Sequence, residues 1–212
     1  MSQMIQSLEQ RVLMSVTAAT LIADVAKLNT DAAAVVTAHT ARVASAKDSY
    51  DAIVADLKVL DASATPAVKA AARRQVATLA DHNLVSHARI VVDQTVFLVV
   101  AKLDAVLGEA HGKGLLLHPT STAFQKLVAK DITNLNTNVP AKLSTLQTEL
   151  TAATSQTDTD ANAIAASNSS IASLISTSES DLATKTTTLS AAASQVSTDA
   201  AQLATDLSGI PA

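Results

Sequence analysis

Between Pro140 and Gly209 the chain runs from Ala141 to Ser208 without a glycine or a proline. This stretch is mostly Ala, Ser and Thr, crossed by a sparse line of larger apolar residues. Ile175, Leu182, Leu189, Val196 and Leu203 recur every seven residues, and Ala193, Ala200 and Leu207 each follow a member of that line by four. Such spacing is an a/d-type helical stripe, not the alternation of a strand. An earlier register, Leu143, Leu146, Leu150, Ala153, Ile164, Ile171 and Leu174, joins it through the four-residue step from Ile171 to Ile175, a stutter that locally unwinds a supercoil. Unbroken, the helix would be roughly 100 Å long. The Ser/Thr-rich runs at 154–160 and 167–170 are the two places where hydroxyl competition for backbone partners would break it. A stripe this sparse does not offset the entropy of ordering the segment, so it requires partner helices in this chain or in another copy.

The remaining sequence supplies helices of the same kind. With four Gly, four Pro and three aromatics (Tyr50, Phe97, Phe124), there is little material for turns or for a conventional core. The expected fold is all-α: an elongated, Ala-rich, coiled-coil-like bundle of about four to five long helices. Residues 17–138 read as a helical bundle with helices at about 17–61, 66–107 and 121–138, followed by the long helix of 140–208. In the first helix Leu21, Val25, Leu28, Ala32 and Val35 form a stripe. Val36, Val43, Tyr50 and Leu57, with Ala46, Ile53 and Leu60, continue it in a shifted register, with His39 as a hydrogen-bonded seam residue. Thr65 and Pro66 suit the N-cap and first position of the second helix.

That second helix changes character along its length. Lys69, Arg73, Arg74 and Asp81 mark a solvated surface, whereas the run from Val96 to Ala101 is apolar on every side and is expected to be the most buried segment. Gly108 to Pro119 holds three of the four glycines and reads as the one clear loop. Its apolar tip, Leu115, Leu116 and Leu117, is a candidate contact for a neighbouring subunit, a lipid or its own bundle. Thr120 or Ser121 caps a shorter helix that ends near Asn138, unless Pro140 only kinks it into the last one.

The charge pattern and the residue types present narrow the function classes. A net charge of −4 gives no electrostatic footprint for nucleic acid. Zero cysteine removes disulfides and thiolate chemistry. No apolar run reaches the length of a spanning helix, since Asp93, Lys102 and Asp104 interrupt Ile90 to Leu107. His82 and His87 are five apart and no Glu-x-x-His occurs, so no convergent helical metal pair is expected. Gly112-Lys113-Gly114 has neither the spacing nor the strand of a phosphate loop. No cofactor and no enzyme activity are therefore expected.

Residues 1–16 allow two readings. Leu8, Glu9, Arg11, Leu13 and Ser15, within Gln6 to Ser15, resemble the LEPRxLLS-like sorting segment of exported planctomycete proteins, with Gln10 and Met14 in place of its usual proline and leucine. That resemblance implies export or surface sorting and nothing of fold or activity. The other reading is the first turns of an amphipathic helix in a cytoplasmic protein.

The leading expectation is a non-enzymatic, exported or cell-surface structural protein that self-associates into a fibre, sheath or other homo-oligomer. Its seam comprises Leu143, Leu150, Ile164, Ile171, Ile175, Leu182, Leu189, Val196, Leu203 and Leu207. Two alternatives stand beside it. One is an amphiphilic module coating lipid or hydrophobic surfaces, resembling phasin-like and fungal hydrophobic-surface-binding proteins in its Ala/Thr/Ser-rich composition. The other is a helical pore-forming bundle acting through Val96 to Leu107.

Overall fold

The protein is described here by a computed structural model covering residues 2–63, 65–115, 121–167 and 172–209. Four helices account for almost all of them: α1 (Ser2–Ser63), α2 (Pro66–Leu115), α3 (Thr122–Ser167) and α4 (Ala172–Ser208). Only Thr65, Ser121 and Gly209 among the described residues lie outside a helix. The fold is all-α. Thr65 caps α2 as its side chain suggests, with Oγ1 accepting from the Val68 amide at 3.5 Å and its carbonyl from the Lys69 amide at 3.1 Å.

Two compact units share these helices. Unit 1 comprises Met1–Ala34, Thr95–Ser144 and Ala192–Ala212; unit 2 comprises Val35–Gln94 and Thr145–Ala191. Each draws one segment from every helix, so the expected division between a 17–138 bundle and a separate 140–208 helix does not hold. In unit 1, Asp24 lies by Asp206 and Lys27 pairs with Asp199, so that α1 runs antiparallel to α4, and Asp104 of α2 lies against Asp131 of α3. Its core is made by Leu21, Leu28, Phe97, Leu135, Val196 and Leu203, all fully buried, with Ala101, Ala105, Ala193 and Ala200 where helices approach closely. In unit 2, Arg42 meets Thr186 and Ser45 meets Asp181, while Gln75 meets the Ala163 carbonyl and His82 meets Asp160, so that α1 runs antiparallel to α4 and α2 to α3. Ile53, Val76, Leu79, Ala161, Ile164 and Ile175 form one cluster of its core.

Several boundaries differ from those read in the sequence. Helix α3 continues through Pro140, in line with the second of the two readings the sequence allows there and not with an end near Asn138. A proline inside a helix costs about 3 kcal/mol, but burying Leu135 and Val139 completely on the preceding turns is worth roughly 1.5–3 kcal/mol each, which offsets it. The run 154–160 is helical throughout, because its hydroxyls are satisfied within the helix. Thr154, Thr157 and Thr159 donate to the carbonyls of Leu150, Ala153 and Ser155 at 2.8–2.9 Å. The C-terminal tract is instead two helices, α3 ending at Ser167 and α4 starting at Ala172. Residues 168–170, most of the other expected break, and Ile171 of the stutter lie outside the described residues.

The expected glycine loop is helical from Gly108 to Leu115, and residues 116–119 lie outside the described residues. Helix α2 runs through Gly108, Gly112 and Gly114 to Leu115, so the second helix ends eight residues beyond the expected Leu107. Residues 2–16 belong to α1. In α1 the register does not shift after Val35. Ala38, Arg42 and Ser45 carry the buried line onward, while Val36 is 46% exposed.

Candidate interaction surfaces

The seam proposed from the sequence for self-association is largely occupied within the chain. In unit 2, Leu150, Ile164, Ile175, Leu182 and Leu189 are buried; in unit 1, Val196, Leu203 and Leu207 are buried. Leu143 is half-buried. Ile171, Leu116 and Leu117 lie outside the described residues, as does the side chain of Leu115. The heptad line is thus a core line, and its partners are α1, α2 and α3 of the same chain.

A different face is open. Of the run Val96 to Ala101, only Phe97, Leu98 and Ala101 are buried, whereas Val96 and Val99 are exposed, the latter at 59%. All-round apolarity therefore does not mean all-round burial: the segment has one face in the core and one outside. In unit 1 the open face carries Val96, Val99, Leu103 and Leu107 of α2. The antiparallel level that sets Asp104 against Asp131 brings exposed Leu127 of α3 near the level of Leu107. Unit 2 has its own patch on α2, with Leu84, Val85, Val91 and Val92 exposed. Along the helix in unit 1, Val96, Val99, Leu103 and Leu107 are separated by steps of three, four and four, which at 3.6 residues per turn keeps them within an arc of about 80°. A stretch of α2 within Pro66–Ala105 has a mean hydropathy of 1.5, long and apolar enough by length and composition to cross a membrane, and 28% of it is buried in the chain.

The polar groups that the sequence did not single out form local clusters. In unit 1, Asp24 has its pKa raised to about 6 by burial and by the neighbouring Asp206 carboxyl. Asp24, Lys27, Gln195, Thr198, Asp199 and Gln202 line a cavity of about 250 Å³. Burial also raises the Asp199 carboxyl, against the opposing pull of Lys27. Asp104, 2% exposed, is likewise raised to about 6 by burial and then by Asp131, with Asn134 favouring the charged form. In unit 2, His82 Nδ1 lies 2.7 Å from Asp160 Oδ2, and Gln156 donates to Oδ1 of the same carboxylate at 3.2 Å. The rings of His39 and His87 stack at 5.4 Å, so His39 contacts another ring while its buried Nε2 has no hydrogen-bond partner. This is not the hydrogen-bonded seam residue its position suggested. Burial, followed by the charges of His87 and Arg42, holds His39 below the usual histidine pKa.

No known family model, curated protein or solved structure matches the chain.

Proposed function

We propose that this is a non-enzymatic helical structural protein that self-associates through the open apolar face of α2. The observation that carries this reading is the regular three-four-four row of Val and Leu left exposed on that helix. Within unit 1, Val96, Val99, Leu103 and Leu107 are exposed on one face of α2, and the largest apolar patch on a protein surface is often an interaction site. A narrow row at helical spacing suits the knobs-into-holes packing of a second helix. The sorting-like segment around Leu8 and Arg11 supports placing the assembly outside the cytoplasm or at the cell surface.

The test is sedimentation and electron microscopy of the wild type beside Val99→Lys/Leu103→Lys. Concentration-dependent assemblies that the double variant loses while keeping its helicity support the reading. A wild type that stays monomeric at high concentration removes it.

The low burial of apolar α2 favours a second reading, a module that coats lipid or other hydrophobic surfaces. It predicts that vesicles or oil droplets carry the wild type on flotation and leave the double variant behind. The narrowness of the row and its balanced flanking charges, Arg89 and Lys102 against Asp81 and Asp93, support the self-association reading over this one.

A further inference from the structure

Arg42 of α1 is a buried cation without a carboxylate. It is 5% exposed, and among the described residues its one hydrogen bond runs from Nε to Thr186 Oγ1 at 2.9 Å. Among the described residues no ion pair reaches it. The nearby acid on α4, Asp181, accepts from Ser45 Oγ and lies 4.0 Å from Lys185, with half of its side chain exposed. A buried guanidinium has five donors in a fixed fork, and a charge kept from water without a counter-charge costs several kcal/mol. The surroundings of the unused donors are therefore informative.

Arg42 also borders a cavity within unit 2, a space of about 50 Å³ that it lines with Asn83, Ser86 and His87 of α2, closed by Val43 and Leu182. Asn83 Oδ1 lies 3.1 Å from Thr157 Oγ1, whose one proton it shares with the Ala153 carbonyl, and the amide nitrogen is the other end of that side chain. Stacking against His39 holds the ring of His87 in place. Donors thus gather from two helices around one cationic fork. One water needs roughly 10–15 Å³ of such space, so the cavity admits an ion of one to four heavy atoms and excludes a nucleotide or a sugar phosphate.

We propose that Arg42, with Asn83, Ser86 and His87, forms a binding site for one small monovalent inorganic anion of the size of chloride or nitrate. The single guanidinium charge matches a single negative charge, and the side-chain donors of Asn83 and Ser86 replace the hydration that the ion gives up. Asn83, Ser86 and His87 are only partly buried, which gives the ion a path from solvent. The site stands independently of how α2 associates.

The test titrates sodium chloride against sodium gluconate at constant ionic strength, read by calorimetric melting and by ³⁵Cl line width. Wild-type protein should show a saturable rise in Tm of a few degrees and excess line broadening. Arg42→Met should lose both, and in gluconate it should melt no lower than the wild type, because it no longer buries an uncompensated charge. Arg42→Lys should bind at least threefold more weakly than wild type while still responding. Equal wild-type melting in chloride and gluconate, or broadening retained by Arg42→Met, overturns the site. If Arg42→Met does not fold, Ser86→Val decides: filling the cavity from α2 should raise the apparent Kd for chloride at least tenfold, and an unchanged Kd overturns the site.

Discussion

A methyl group added at Gly108 of α2 would stand 3.1 Å from Cδ2 and 3.3 Å from Cδ1 of Leu203 on α4, both within unit 1. Gly108 is thus a point of close helix approach inside α2. The helical conformation there costs about 1 kcal/mol relative to alanine, and the fully buried Leu203 uses the space gained. Gly108→Ala should change stability little, since its propensity gain opposes the crowding of Leu203. Gly108→Val adds two further carbons and should destabilise by about 1–3 kcal/mol, the cost of overpacking. Urea denaturation of both variants checks this, and equal stabilisation by both would remove the close-approach account.

Leu189 and Thr187 lie two residues apart on α4 and face opposite environments. Leu189 is fully buried, while Thr187 is exposed with its hydroxyl donating to the Ala183 carbonyl at 3.0 Å. Leu189→Asp places an unpaired carboxylate in the core of unit 2 and removes a buried side chain, a loss on the order of 4 kcal/mol or more. Thr187→Asp should stay within about 0.5 kcal/mol. Circular dichroism melts distinguish them, and similar tolerance of both would contradict the assignment of this line to the core.

The parts of the fold that were legible in the sequence are those where apolar spacing alone decides. The seven-residue line from Ile175 to Leu203 named a helix and its buried face, and Thr65-Pro66 named a helix start. What failed was any inference that required knowing which neighbours were present. Leu21, Leu28, Val35 and position 42 are spaced by sevens, but an arginine is rarely a core residue, so spacing and residue type point apart there, and it is Arg42 and not Val36 that is buried. At Gly108 a loop was expected on composition, because nothing in one sequence tells a turn glycine from one that admits a neighbouring leucine. The apolar run at Val96 was expected inside for a similar reason: hydropathy records what a face would prefer, and burial depends on whether another helix covers it.

The carboxyl pair of Asp104 and Asp131 gives the protein a pH dependence whose sign follows from the raised pKa. Burial and the neighbouring acid lift Asp104 from 3.8 to about 6 in the folded chain. The folded state therefore holds this proton more tightly than the unfolded state does. The stabilisation is fully present below about pH 4 and is lost as pH rises through 6. Asp24, also raised to about 6, acts in the same direction and window. His39, held below its ordinary 6.5, acts oppositely: its contribution is present above that value and is lost as pH falls through the depressed one. Asp104→Asn isolates the first term, because an amide keeps the shape and never ionises. At pH 8 the variant should be more stable than the wild type by about 2–3 kcal/mol, taking 1.4 kcal/mol per pKa unit. At pH 4 both proteins carry a neutral group at this position, and the difference should vanish. Denaturant midpoints of the two proteins at pH 4, 6 and 8 measure it, and a gap that is constant across that range would show that Asp131 and burial do not govern the ionisation of Asp104.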